Sequence, residues 1–249
     1  MKKELSTTKF MRILYLGVLF SFLIPIGILI FVIATYTPES SPLLRSDYVL
    51  MLVECVLGAI VIHIPSLLQH RWRIDIPMPL FAMFLIFLFC AITLGELGFF
   101  YHRIPHYDDV LHLMSSMMTG FFGYMLIAIL NQQAKGKLPL SQFFVAVFAF
   151  CFSLSIGTLW EIYEFSADAL LDLNMQRYRT LQGEPLIGQA ALLDTMKDLI
   201  VDASGALAAT LFGALSMIRQ HGWVHAYLKD TVSFTNEEDQ KNENGRIKF

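Results

Sequence analysis

Three stretches of this sequence carry side chains able to hold a cation or move a proton. Asp108 and His112 stand four residues apart, Glu161 and Glu164 three apart, and Asp194, Asp198 and Asp202 follow at intervals of four. On a helix these spacings put each set on one face, so each stretch presents its own acidic stripe. Carboxylate and imidazole together are hard-to-borderline ligands suited to Zn, Mn, Fe or Mg. Ligands contributed by separate helices are also how carboxylate metal sites are assembled inside helical bundles. No His-Glu-x-x-His signature is present, so the chemistry depends on the stretches converging.

The elements that must position these residues are apolar. Of 249 residues, 55% are hydrophobic and 16% charged, with mean hydropathy +0.56; a soluble domain carries roughly a quarter charged residues. Apolar runs of about the 20 residues needed to cross the hydrocarbon occur at 11–34, 48–68, 78–99, 110–130, 143–165 and 199–218. The expected fold is all-α, a polytopic transmembrane helical bundle of about six spans over residues 1–229, with a motif-bearing core at 101–214. Residues 230–249, rich in Asn, Glu and Lys, are expected to be a disordered polar tail. The first run follows Lys2, Lys3, Lys9 and Arg12 but exceeds the roughly 7–15 apolar residues of a signal peptide, and reads as a retained helix. With net charge −3 and no basic stripe interleaved with aromatics, the sequence excludes nucleic acid as a partner. Cys55, Cys90 and Cys151 all fall in apolar runs and read as small packed hydrophobes, with no disulfide or metal framework.

Basic residues set the expected orientation. With the N-terminus inside, 13 of the 18 Lys and Arg are cytoplasmic; Arg45, Arg103, Arg177, Arg179 and Lys197 remain on the other side. Both termini are therefore expected in the cytoplasm and the protein in the inner membrane. That topology brings Glu96, His102, His106, Asp108, Asp109, His112, Glu161, Glu164, Asp168, Asp194, Asp198 and Asp202 to the outer ends of the spans. An ionised group at the bilayer centre costs on the order of 2.5–3.5 kcal/mol even on lenient scales, so a cation, basic partners or protonation must neutralise the deeper ones. Simple solvation and the helix dipole account for Asp109 and Asp198, and capping for Asp194. They do not account for Glu161, inside the apolar pattern after Trp160, or for Asp202, more than a turn deep.

Other features read as packing. Gly205, Ala209 and Gly213, and Ser116 with Gly120, are four-residue stripes of small residues that let helices approach closely. Pro25 and Pro65 are expected to kink their helices, and His63 reads as a packed or solvated histidine away from the cluster. In the long connector, 166–174 is expected to prolong the fifth helix near the interface. Arg177 and Arg179, beside Gly183 and Gly188, could hold a phosphate or carboxylate headgroup.

Three motifs resemble a known family. His106-Tyr107-Asp108 with His112, then Trp160-Glu161-Ile162-Tyr163-Glu164-Phe165, then Asp194-Thr195-Met196-Lys197-Asp198 with Gly205, are similar to the YjdF-like integral membrane proteins. The order Asp…His, Glu, Asp…Gly is also distantly similar to the VanZ-like proteins. The resemblance implies that Asp108, His112, Glu161, Glu164, Asp194 and Asp198 are signature polar positions; the VanZ-like likeness implies work near the cell envelope, such as altered sensitivity to lipoglycopeptides. The sequence departs with Asp109 in place of a base, Met196 in place of Gln and Asp202 in place of a small apolar residue, which makes the region more acidic.

The leading expectation is a site for a divalent metal (Zn, Mn, Fe or Mg) on Asp108, His112, Glu161, Glu164 and Asp198, with Asp202 as general base. Arg103, Arg177 and Arg179 would steady the phosphate of a membrane lipid or lipid-linked envelope molecule, and His106, Asp109, Asp168 and Asp194 would complete the polar cluster. A cation- or proton-coupled transporter and a non-catalytic membrane scaffold are the alternatives.

Overall fold

A computed structural model of the chain describes residues 2–41, 43–72, 76–133, 140–180 and 182–220. The expected tail at 230–249 lies outside the described residues, as does the stretch 134–139. Regular structure is helical, and no strand occurs among the described residues. The helices are α1 (Lys2–Ala34), α2 (Arg45–Val61), α3 (Ile64–Trp72), α4 (Met78–Leu88), α5 (Phe100–Arg103), α6 (Tyr107–Gln133), α7 (Gln142–Leu171) and α8 (Gln189–Ile218). After α4 the chain continues as a π-helical stretch, Phe89–Leu97.

Six stretches are long and apolar enough to cross a membrane, as expected: Lys9–Ala34, Arg45–Arg71, Met78–Leu97, Tyr107–Asn131, Gln142–Leu171 and Gln189–Ile218. Several run further than hydropathy indicates, because good helix formers, polar and apolar, extend them past the apolar run. The largest difference is α8, which starts at Gln189, so Asp194 and Asp198 lie within the helix rather than at its mouth. The second crossing is interrupted: α2 ends at Val61 and α3 restarts at Ile64, with Pro65 in its first turn, where a missing N–H costs little. Pro25 lies inside α1 without ending it. Large apolar side chains such as Ile13, Phe31, Phe143 and Ile200 stay exposed, as lipid-facing positions require.

The chain divides into two compact units. Residues 1–114 with 158–201 form the first, and 115–157 with the described part of 202–220 the second. Phe22, Cys55, Ile62 and Leu85 are fully buried at the centre of the first. There Ser21 Oγ and Thr93 Oγ1 hydrogen-bond at 2.8 Å, tying α1 to the π-helical stretch. His63 Nδ1 pairs with Tyr15 Oη at 2.7 Å. A smaller core of Leu50, Ala167, Leu173 and Met175 anchors the connector that follows α7. In the second unit Tyr124, Met125, Ala128, Val145, Ala149, Ala206 and Ala209 are buried, and Gly123 packs against the Ala149 backbone, the close approach that small residues allow. The cysteines are free thiols: Cys55 buried, Cys90 half-buried and Cys151 exposed.

Candidate functional site

The first unit gathers the acids. α6 begins after His106, whose φ of +61° turns the chain into the helix, and its first two turns carry Asp108, Asp109 and His112. His106 Nδ1 bonds Asp109 Oδ2 at 2.7 Å, and Lys197 of α8 forms an ion pair with the same aspartate. This clamp registers α6 against α8, so that Asp108 and His112 face Asp198. One ligand atom from each of Asp108, His112 and Asp198 lies within 4.8 Å of the other two. His112 Nε2 is 3.9 Å from both Asp108 Oδ1 and Asp198 Oδ2. That is too long for hydrogen bonds, yet within the span of two ligand bonds of about 2.0–2.2 Å each. Asp198 is 2% exposed, and its Oδ1 accepts no hydrogen bond among the described residues. Two carboxylates and an imidazole suit the divalent metals expected from the sequence, and an orphaned buried carboxylate oxygen fits a cation.

Glu161 and Glu164 lie outside that group of three but close to it. Both are buried on α7, and Trp160 Nε1 donates to Glu164 Oε1 at 2.8 Å. Glu164 lies within electrostatic reach of Glu161, His112, Asp108 and Asp194, and Asp198 within reach of Glu161. Glu54, which the sequence reading passed over, joins them from α2 and feels Glu96, Glu164, Asp108 and Arg177. Its signal was available: an acid in the middle of an apolar span has no solvated alternative.

Arg177 is the counter-charge. The connector after α7 is folded rather than loose. Asp168 accepts the N–H groups of Met175 (2.7 Å) and Gln176 (3.0 Å), and Tyr178 and Thr180 pair with Leu186 and Glu184 across a turn at Gly183, φ +84°. This holds Arg177, itself at φ +48°, with Nη1 2.9 Å from Asp108 Oδ2 and 3.3 Å from Asp194 Oδ1. Its guanidinium lies 5.1 Å above the Tyr101 ring. Burial opposes its charge, but Asp108 and Asp194 more than offset this and hold its pKa above the usual value. Burial, with Glu54, Asp108 and Glu96 nearby, pushes the Tyr101 hydroxyl well above the ordinary phenol range. Burial and Arg177 lower His102.

The other arginines are placed differently. Arg179 bonds Asp172 Oδ1 at 3.0 Å and the Asp172 and Leu173 carbonyls, bracing the connector. Arg103 lies 5.8 Å from the Phe99 ring. Asp202 belongs to the second unit, where its Oδ1 accepts the Ser116 hydroxyl at 2.5 Å.

Residues 18–219 match the family described as "Predicted membrane protein (DUF2238)". The chain belongs to this family. DUF2238 is the YjdF family, so the resemblance carried by the three motifs holds and the match reaches back to include the first spans; nothing supports the VanZ-like likeness. A Thermotoga maritima relative described as an uncharacterized protein is 30% identical over 122 residues, covering 47% of this chain and 53% of that one. The chain thus spans about half the length of this relative. No solved structure matches the chain. This DUF2238 protein is a membrane protein with a buried acidic and histidine group.

Proposed function

We propose that this protein holds a divalent cation between Asp108, His112 and Asp198, and uses it to bind or transform a phosphate-bearing lipid or lipid-linked molecule at the outer leaflet of the cytoplasmic membrane. The observation that carries the metal is the approach of three ligand atoms to within 4.8 Å from two helices. Charge points the same way: Asp108, Asp194, Asp198, Glu161 and Glu164 outnumber Arg177 and Lys197, the Arg and Lys side chains acting on them among the described residues. A bound ion would polarise a phosphoryl or carbonyl oxygen or activate a water. Glu161 and Glu164 would supply further carboxylates beside it, and Arg177 would orient an anionic group. The lipid is inferred from the setting, a polar site in a chain with six stretches long and apolar enough to cross a membrane. The outward orientation rests on the distribution of basic residues, 13 against 5.

Metal-dependent stabilisation tests this reading. Chelator-stripped protein in detergent should gain about 5–10 °C in Tm when Zn or Mn is added to about a hundred times its dissociation constant. His112→Ala should lose that gain while keeping its metal-free Tm near that of the wild type. No shift with any of Zn, Mn, Fe or Mg would contradict a metal site.

A further inference from the structure

We propose a second cation site, independent of the first, in which Asp202 and a set of hydroxyls in the second unit bind a small alkali cation, Na+ or Li+. The polar groups that meet there come from three helices. Asp202 of α8 is 1% exposed, Ser116 of α6 3% and Ser153 of α7 1%. Ser116 Oγ donates to Asp202 Oδ1 at 2.5 Å. Ser153 Oγ donates to the Ser116 carbonyl at 2.7 Å and shares a hydrogen bond of 2.9 Å with Thr119 Oγ1. Thr119 Oγ1 also reaches the Ser115 carbonyl at 2.9 Å. Gly157 forms the remaining wall: a Cβ there would lie 2.8 Å from Asp202 Cγ and nearer still to a carboxylate oxygen. The glycine lets the carboxylate sit directly on the α7 backbone.

The chemistry of this set differs from that of the first site. Its donors are carboxylate, hydroxyl and carbonyl oxygens, with no imidazole, so it suits hard cations. It holds one carboxylate, which matches one positive charge; a divalent ion would leave an excess charge in a medium where charge is expensive. An ion would have to replace the hydrogen bonds of 2.5–2.9 Å that these oxygens make with one another, and a small ion requires the least displacement of them. Hydroxyls that hydrogen-bond one another can rotate to turn lone pairs toward it.

Position gives the site a use. Asp202 follows the start of α8 by 13 residues and precedes its end by 16, about 20 and 24 Å along the helix. Ser116 and Thr119 lie near the middle of Tyr107–Asn131, and Ser153 and Gly157 near the middle of Gln142–Leu171. Coupling-ion sites of secondary transporters sit at such depth, and an intramembrane carboxylate marks an ion pathway.

Binding of radioactive Na+ to purified full-length protein, measured with chelator present to keep the first site free of divalent metal, tests the proposal. Wild type should bind about one Na+ per chain, competed by Li+ and at least tenfold less by K+. Asp202→Asn keeps the shape and an acceptor for Ser116 and should abolish binding; Ser153→Ala, which removes a hydroxyl but keeps Asp202, and Gly157→Ala, which keeps Asp202 but pushes its carboxylate off the α7 backbone, should each weaken it at least tenfold. Absence of saturable binding to folded wild type would overturn the proposal. So would full-strength binding in Asp202→Asn or, if that variant fails to fold, in both Ser153→Ala and Gly157→Ala.

Discussion

Arg177→Ala should destabilise the detergent-solubilised protein by about 2–4 kcal/mol, the range expected when one partner of a largely buried ion pair is removed. Its guanidinium contacts Asp108 at 2.9 Å and Asp194 at 3.3 Å, with the three side chains 30%, 15% and 19% exposed. Truncation takes from both carboxylates the guanidinium they share, so much of the loss is their uncompensated charge. Two consequences separate this from lost packing. The triple variant Arg177→Ala, Asp108→Asn, Asp194→Asn should recover most of the stability. Arg103→Ala, which removes only a contact with the Phe99 ring, should cost under about 1 kcal/mol. Thermal and denaturant unfolding followed by circular dichroism measure all three.

Gly213→Ala should destabilise by about 2–3 kcal/mol through overpacking. A Cβ at Gly213 would lie 2.8 Å from the Tyr124 hydroxyl and closer to its ring. Tyr124 is 1% exposed and donates to the Thr210 carbonyl at 2.8 Å, so it has nowhere to retreat. Tyr124→Leu in the same chain should restore part of the loss. Gly17 on α1 has open space where its Cβ would stand. Gly17→Ala should therefore stabilise by about 0.5–1 kcal/mol, the helix-propensity difference alone. The opposite signs, read from the same unfolding experiment, separate a seam between helices from a lipid-facing surface.

The six crossings were legible because the hydrocarbon demands long apolar runs, and those are local. Their ends were less so. Hydropathy places the sixth span at 199, whereas Ala190, Ala191, Leu192 and Leu193 carry α8 back to Gln189, because the helix continues through its polar face. The acids were likewise visible one helix at a time, since spacing reports a shared face. Which faces meet is a different matter. His112 and Asp198 are 86 residues apart, and the Asp109–Lys197 ion pair, together with Arg177 between Asp108 and Asp194, sets their register. The sequence marks Arg177, beside a glycine turn, as a candidate to hold a phosphate or carboxylate headgroup, but its place among Asp108, Asp194 and Tyr101 depends on the folded connector, which no periodicity encodes. Ser116, Thr119 and Ser153 drew no attention as polar groups because a hydroxyl in an apolar span is common; only their meeting at Asp202 distinguishes them.

Metal content by mass spectrometry on protein purified in detergent without chelator tests the central claim most directly, with wild type beside His112→Ala and Asp198→Asn, each shown to be folded by gel filtration. About one Zn, Mn or Fe per wild-type chain, absent from both variants, is the predicted result; a wild-type chain that carries no metal and takes up none on addition of Zn, Mn, Fe or Mg, or variants that retain it, would contradict a metal centre at Asp108, His112 and Asp198.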